Sequence, residues 1–198
     1  MSDAKRVVVV LAHPGGESLC AALSTAARRA LGALGMEIAV HDLYADGFDP
    51  RMPLSEVGTT FMADRLVERY AAEVLAADAL VIVHPVWFFG VPAILKGWVD
   101  RVLREGVVYE LAPGGESGGL LRARRALIIN TANAPEAVER EAFGDPLDTF
   151  WRRIVFAPAG VAEVRRLRCS KVAGSGAGER AEWLREVEAG VAALVAGL

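Results

Sequence analysis

Ala79-Leu80-Val81-Ile82-Val83-His84-Pro85-Val86-Trp87-Phe88-Phe89-Gly90 decides the fold. Five consecutive apolar residues read as a strand covered on both faces. Pro85 predicts its end, because proline cannot donate to a sheet ladder and biases His84 toward an extended backbone. Pro92 fits the first turn of a helix beyond. The segment is therefore strand, loop, helix, and Trp87, Phe88 and Phe89 fall in the loop at a sheet rim. There they plug the top of the core, form a subunit interface, or wall a flat ligand.

The same pattern surrounds this stretch. Val7 to Ala12 is another continuous apolar run, followed by the loop His13-Pro14-Gly15-Gly16-Glu17-Ser18. A helix is predicted next, with Leu19, Ala22, Leu23, Ala26, Ala27, Ala30, Leu31 and Leu34 at 3.6-residue spacing, Ser18 as its N-cap and Gly35 as its stop. Glu37 to His41 reads as a second strand and Asp42 to Thr60 as a long surface connection. Met62, Leu66, Tyr70, Val74 and Ala77 give a second helix its buried stripe; Leu95, Trp98, Val99 and Val102 give a third one its face, with Lys96, Asp100 and Arg104 opposite. Val107 to Leu111 reads as a short extended arm before a glycine-rich loop from Ala112 to Gly119. Ala126 to Asn130 is a fourth strand, Asp148 to Val155 a helix, and Val161 to Leu167 a fifth strand. Trp183, Leu184, Val187, Val191 and Leu194 mark the last helix.

Alternating strands and helices imply an α/β, doubly wound five-stranded parallel sheet of order 2-1-3-4-5 with helices on both faces. Ligands of such sheets bind outside the carboxyl ends of the strands where the order reverses, here between the first and third. The loops at His13, Pro85 and Thr131 must converge there. A helix N-terminus suits a phosphate and the aromatics suit a planar ring, so a nucleotide-like cofactor is expected.

Composition narrows the rest. At 198 residues the chain reads as one domain able to bury roughly 70% of its unfolded surface. Its net charge of -3 provides no basic footprint for nucleic acid. Cys20 and Cys169 form neither a CxxC nor a Cys/His spacing, which fits a reduced, cytoplasmic protein without a zinc site. The opening Met1 to Arg6 leads into too few apolar residues for a signal segment. The apolar tract Leu75 to Leu95 is broken by Asp78, His84, Pro85, Gly90 and Pro92, so no transmembrane segment is expected. The three histidines have no metal-binding spacing, and His13 reads as a phosphate contact or a loop-structuring residue. Cys20 sits in a first helical turn, where a thiol is either activated or simply packed. Gly174 to Gly178 imitates a dinucleotide loop but reads as a connection.

Val7 to Pro14 with Ser18, the segment Pro85 to Val102, and Tyr109 together resemble the NAD(P)H:quinone oxidoreductases related to DT-diaphorase. Asp42-Leu43-Tyr44-Ala45 and Phe48-Asp49-Pro50 resemble that family's connection after strand two. Asn133 to Leu147 is similar to a bacterial subgroup of flavodoxin-like NAD(P)H oxidoreductases. The resemblance implies residues 1-198 as one flavodoxin-like flavin-binding domain and a homodimer. It implies FAD or FMN at the dimer interface, NAD(P)H as co-substrate and a quinone-like acceptor, in ping-pong order. His13, Ser18, Leu19, Cys20 and Ala22 match phosphate-side contacts, while Pro85, Val86, Trp87, Phe88 and Phe89 match the loop along the isoalloxazine edge. Asn130, Thr131, Ala132 and Asn133 stand where the family has Thr-Thr-Gly-Gly beside the flavin, and Tyr109 matches a tyrosine lining the partner's substrate pocket. Leu19 and Cys20 replace the usual Phe-Asn. The tyrosine and histidine that follow strand four in DT-diaphorase have no counterpart in Thr131 to Gly144, nor has the mammalian C-terminal extension, which leaves FAD and FMN both open. The expected function is hydride transfer by the flavin with no catalytic side chain, the proton coming from water or the flavin. The alternative is a regulatory subunit like the ancillary proteins of potassium efflux systems.

Overall fold

In the computed structural model, residues 4–112, 114 and 117–198 are described. Five parallel strands, β1 (Arg6–Leu11), β2 (Glu37–Asp42), β3 (Ala79–Pro85), β6 (Arg125–Thr131) and β7 (Glu163–Cys169), form one sheet in the order β2-β1-β3-β6-β7. Helices α1 (Leu19–Ala33) and α7 (Ala177–Val195) cover one face. The other is covered by α2 (Arg65–Ala76), α3 (Ala93–Val102) and a continuous helical stretch. That stretch comprises α5 (Pro146–Asp148), a π-helical run Thr149–Phe156 and α6 (Ala157–Ala159). Val7 to Val10 are buried on both sides, which is why the central strands read as unbroken apolar runs. Among the described residues no helix is long and apolar enough to cross a membrane.

Ser18 caps α1 by accepting from Ala21 N–H, and Gly35, at φ +74°, ends it as expected. Four expectations need correction. β3 continues through His84 and Pro85 instead of stopping before them. Val86 N–H donates to Thr131 O while Ala12 N–H donates to Val83 O, so alternation turns the nitrogen of Pro85 toward β1, which has already ended at Leu11. Its missing donor costs no ladder bond. The fifth strand lies two residues later than expected, at Glu163–Cys169.

The connection after β2 is not a surface loop throughout. Leu43, Phe48 and Glu56 are buried, and Glu56 takes two bonds from Arg101, Nη2 at 2.7 Å and Nε at 3.1 Å. A Cβ at Gly97 would lie 2.3 Å from Pro50, so glycine lets α3 press directly against this connection. The arm is shorter than read: Val107 and Val108 are buried, and only β4 (Tyr109–Leu111) extends, pairing antiparallel with β5 (Ser117–Gly119). The remainder of the expected Ala112 to Gly119 loop, at 113, 115 and 116, lies outside the described residues.

Candidate active site at the carboxyl edge

The parallel register brings Leu11, Val83 and Ile129 side by side, so the loops after β1, β3 and β6 leave one edge together. In the first loop, His13 is half-buried and its Nδ1 accepts from Gly15 N–H at 2.9 Å. Nδ1 also lies 3.2 Å from Gly15 O; acceptance of the shorter Gly15 N–H contact puts the ring proton on Nε2. Ser18 Oγ is committed to Ala21, which leaves the N–H groups of Leu19 and Cys20 without a partner among the described residues. Ala22 is exposed one turn on. Cavities of about 470 Å³ and 350 Å³ flank this loop. The larger is bounded by His13, Arg28 and Tyr44, and the smaller by Ser18, Ala22, Arg29 and Leu184; Gly16, Ala21 and Thr25 line both.

The second loop is a two-residue turn, with Trp87 and Gly90 exchanging both backbone hydrogen bonds. Phe88 and Phe89 between them have φ of +49° and +57°. Two consecutive non-glycine residues in the left-handed region carry a backbone cost of about 1–2 kcal/mol each. That cost is not recovered by burial at Phe88, which is 104% exposed; Trp87 is 44% exposed, and Val86 and Phe89 are half-buried. Pro85 is buried beneath the turn.

In the third loop, Ala132 is buried and Asn133 exposed, its Oδ1 accepting from Ala173 N–H at 2.9 Å. Below it, Thr131 Oγ1 lies 3.2 Å from Cys20 Sγ. Burial, only partly offset by that hydroxyl, pushes the Cys20 thiol up to about 11, so it is packed and not activated. Asn130 is fully buried, and neither its Oδ1 nor its Nδ2 has a hydrogen-bond partner among the described residues.

The structure thus gathers the His13–Ala22, Pro85–Phe89 and Asn130–Asn133 candidates at one edge. Tyr109 is elsewhere: it lines a cavity of about 630 Å³ with Met52, Val57, Thr60 and Arg104. The edge itself is an open surface, and its chemistry, not its depth, marks it. Two histidines are closed off from it. His84 Nδ1–H donates to Pro85 O at 2.8 Å, and its Nε2 accepts from Trp151 Nε1–H at 3.2 Å. Burial lowers its pKa to about 4. His41 accepts from Trp98 Nε1–H at 3.3 Å and donates to Glu73 at 2.8 Å. Burial, with Arg69 nearby, lowers it to about 3.

Sequence reasoning missed one group beside the edge. α4 (Glu136–Phe143) follows the third loop, and its Glu139 is gripped by Arg166 and Arg168 of β7, at 3.0 and 3.2 Å. Arginines two apart in a strand share a face, and that period was the available signal.

A model of the flavodoxin-like fold family matches residues 5–191. The chain is 33% identical over 147 residues to the ribosyldihydronicotinamide dehydrogenase [quinone] of Pongo abelii, covering 64% of this chain and 63% of that protein. It is 34% identical over 144 residues to the FMN-dependent NADH:quinone oxidoreductase 1 of Jannaschia sp., covering 66% and 71%. The chain therefore spans less than two thirds of the length of the first of these relatives. The NAD(P)H:quinone oxidoreductase of Methanothermobacter marburgensis superposes with a TM-score of 0.81 at 23% identity, over 96% of this chain and 98% of that one, which is a likeness of fold.

Proposed function

Because the chain belongs to the flavodoxin-like fold family, we propose that it is a flavin-dependent NAD(P)H oxidoreductase acting on a quinone-like acceptor. One observation carries this reading: a fully exposed aromatic, Phe88, is held in a strained turn across the sheet's switch point from the unpaired amides of Leu19 and Cys20. An aromatic face and an anion-binding helix start are what a flavin phosphate ester requires. The Asn130 amide, unpartnered among the described residues, lies buried just beneath the same edge.

A bound flavin supplies two-electron chemistry, accepting hydride from NAD(P)H and yielding it to the acceptor. The chain's own residues bind and orient. His13 and the amides of Leu19 and Cys20 would hold the flavin phosphate, with Trp87 to Phe89 along the ring edge and Ala132 and Asn133 on the other side. With His41 and His84 locked as hydrogen-bond acceptors of tryptophans, neither supplies the proton for the acceptor oxygen, which is left to water or the flavin itself. A cavity of about 350 Å³ runs from the phosphate loop toward Leu184, and either FAD or FMN is compatible with it.

A homodimer belongs to the same reading, with the 198 residues acting as one flavin-binding domain per protomer. Leu54, Val57 and Phe61 are 88%, 59% and 57% exposed around the cavity that Tyr109 lines, an apolar surface suited to a second copy. A stable pair would bury on the order of 2,000 Å² or more. Anaerobic stopped flow tests the activity: NAD(P)H should bleach the yellow protein and a quinone restore it. If the purified protein carries no flavin, and neither FAD nor FMN loses fluorescence on mixing with it, the reading fails.

A further inference from the structure

Phe143, the last residue of α4, meets the aromatic loop. Its ring centroid is 4.3 Å from that of Phe89 at an interplanar angle of 40°, yet the side chain remains 54% exposed. The contact joins Phe143 to the turn that also exposes Trp87 and Phe88.

α4 is not placed there by an apolar stripe, for its only buried side chain is Glu139. Glu139 and Phe143 are four residues apart and share a helix face. Glu139 is 2% exposed and held by Arg166 and Arg168. Just beyond Phe143, Gly144 and Asp145 are both left-handed, and Asp145 accepts from Arg166 while its N–H donates to Glu139 O at 3.2 Å. Ion pairs to β7 therefore clamp the chain on both sides of Phe143 and fix the direction of a ring that burial does not fix. A half-exposed phenylalanine gains little from burial in this position. Between Ala132 and Pro135 the only polar side chain is Asn133, whose oxygen is already bound to Ala173.

We propose that Phe143 is a specificity-determining residue, forming the acceptor-side wall of the site and selecting planar, uncharged aromatic acceptors by stacking. This deepens the flavin oxidoreductase reading and rests on it. The wall offers no proton, so selection is by shape and π-contact alone.

Binding to the oxidised, flavin-loaded protein tests this without turnover. Redox-inert naphthalene-2-carboxamide is titrated while the flavin absorbance spectrum is followed, with the non-planar cyclohexanecarboxamide as comparison. Phe143→Ala should weaken the naphthalene compound by about 3–10-fold, as loss of one aromatic pair does, and leave the cyclohexane compound unchanged. Phe143→Trp should hold the naphthalene compound at least as tightly as the unaltered chain. Equal weakening of both compounds in Phe143→Ala, unaltered naphthalene binding in that variant, or no naphthalene binding to the flavin-loaded protein would each overturn the assignment. Failure of the unaltered protein to take up flavin would instead sink the reading beneath it.

Discussion

The two ends of the parallel sheet are finished in opposite ways. At the amino edge, Asp78 is buried and accepts from Arg6 N–H at 2.8 Å and Arg122 Nη2 at 2.7 Å, with Lys5 at 3.5 Å. Arg6 pairs with Glu37 and Arg125 with Glu163 across neighbouring strands. At the carboxyl edge, among the described residues, the first turn of α1 keeps free amides, Asn130 keeps an unpaired amide, and three aromatics stand in a strained turn. Both edges could have been closed by the same ion pairs and caps. The contrast teaches that a binding edge is recognised by what the fold leaves unsatisfied, and a structural edge by what it completes.

The closed layer just beneath the carboxyl edge gives the largest expected effect. His41 and His84 are held neutral in the fold, down to about pH 3 and pH 4 respectively. In the unfolded chain each takes up a proton below about 6.5. The unfolded state therefore binds more protons between these limits, so the stability is present above pH 6.5 and is lost as pH falls. Urea unfolding should show a decrease of about 4 kcal/mol between pH 7 and pH 5. His84→Gln should remove roughly half of that dependence; a flat profile would mean that His84 is not closed off.

At the amino edge, Asp78→Ala should cost about 2 kcal/mol, since a buried backbone N–H and a guanidinium lose their acceptor. The exposed arms of Lys5 and Arg122 add little to this. Flavin affinity should not change. A large loss of affinity would dissolve the distinction between the edges.

The smallest effect has the most informative sign. Asn130→Val replaces an unpaired buried amide by an apolar, strand-compatible side chain, and should raise the stability of the flavin-free chain by about 1 kcal/mol while weakening flavin binding. Destabilisation of the flavin-free form would show that the fold itself satisfies the amide.

Strand order was legible because the covered strands are continuous apolar runs and the helices keep a 3.6-residue period. The convergence of the three loops followed from that order alone. What stayed hidden depends on neighbours and not on pattern. Pro85 remains in the sheet because of which side β1 vacates, a fact no local rule contains. Leu43, Phe48 and Glu56 are isolated in a polar connection, so no period announces their burial. The facing of His84 required the strand's pleat and the π-helical run that brings Trp151 to it. Arg166 and Arg168 showed the period of a strand face, but their meaning needed α4 to supply Glu139.

Hydrogen exchange read by mass spectrometry, with and without saturating flavin, tests the central claim most directly. Amides at 13–22, 86–90 and 130–133 should slow on adding flavin, while those at 5–7, 76–80 and 122–125 at the amino edge should not change. Slowing confined to another surface, such as 52–60 around the cavity that Tyr109 lines, or no slowing at the three loops, would contradict it.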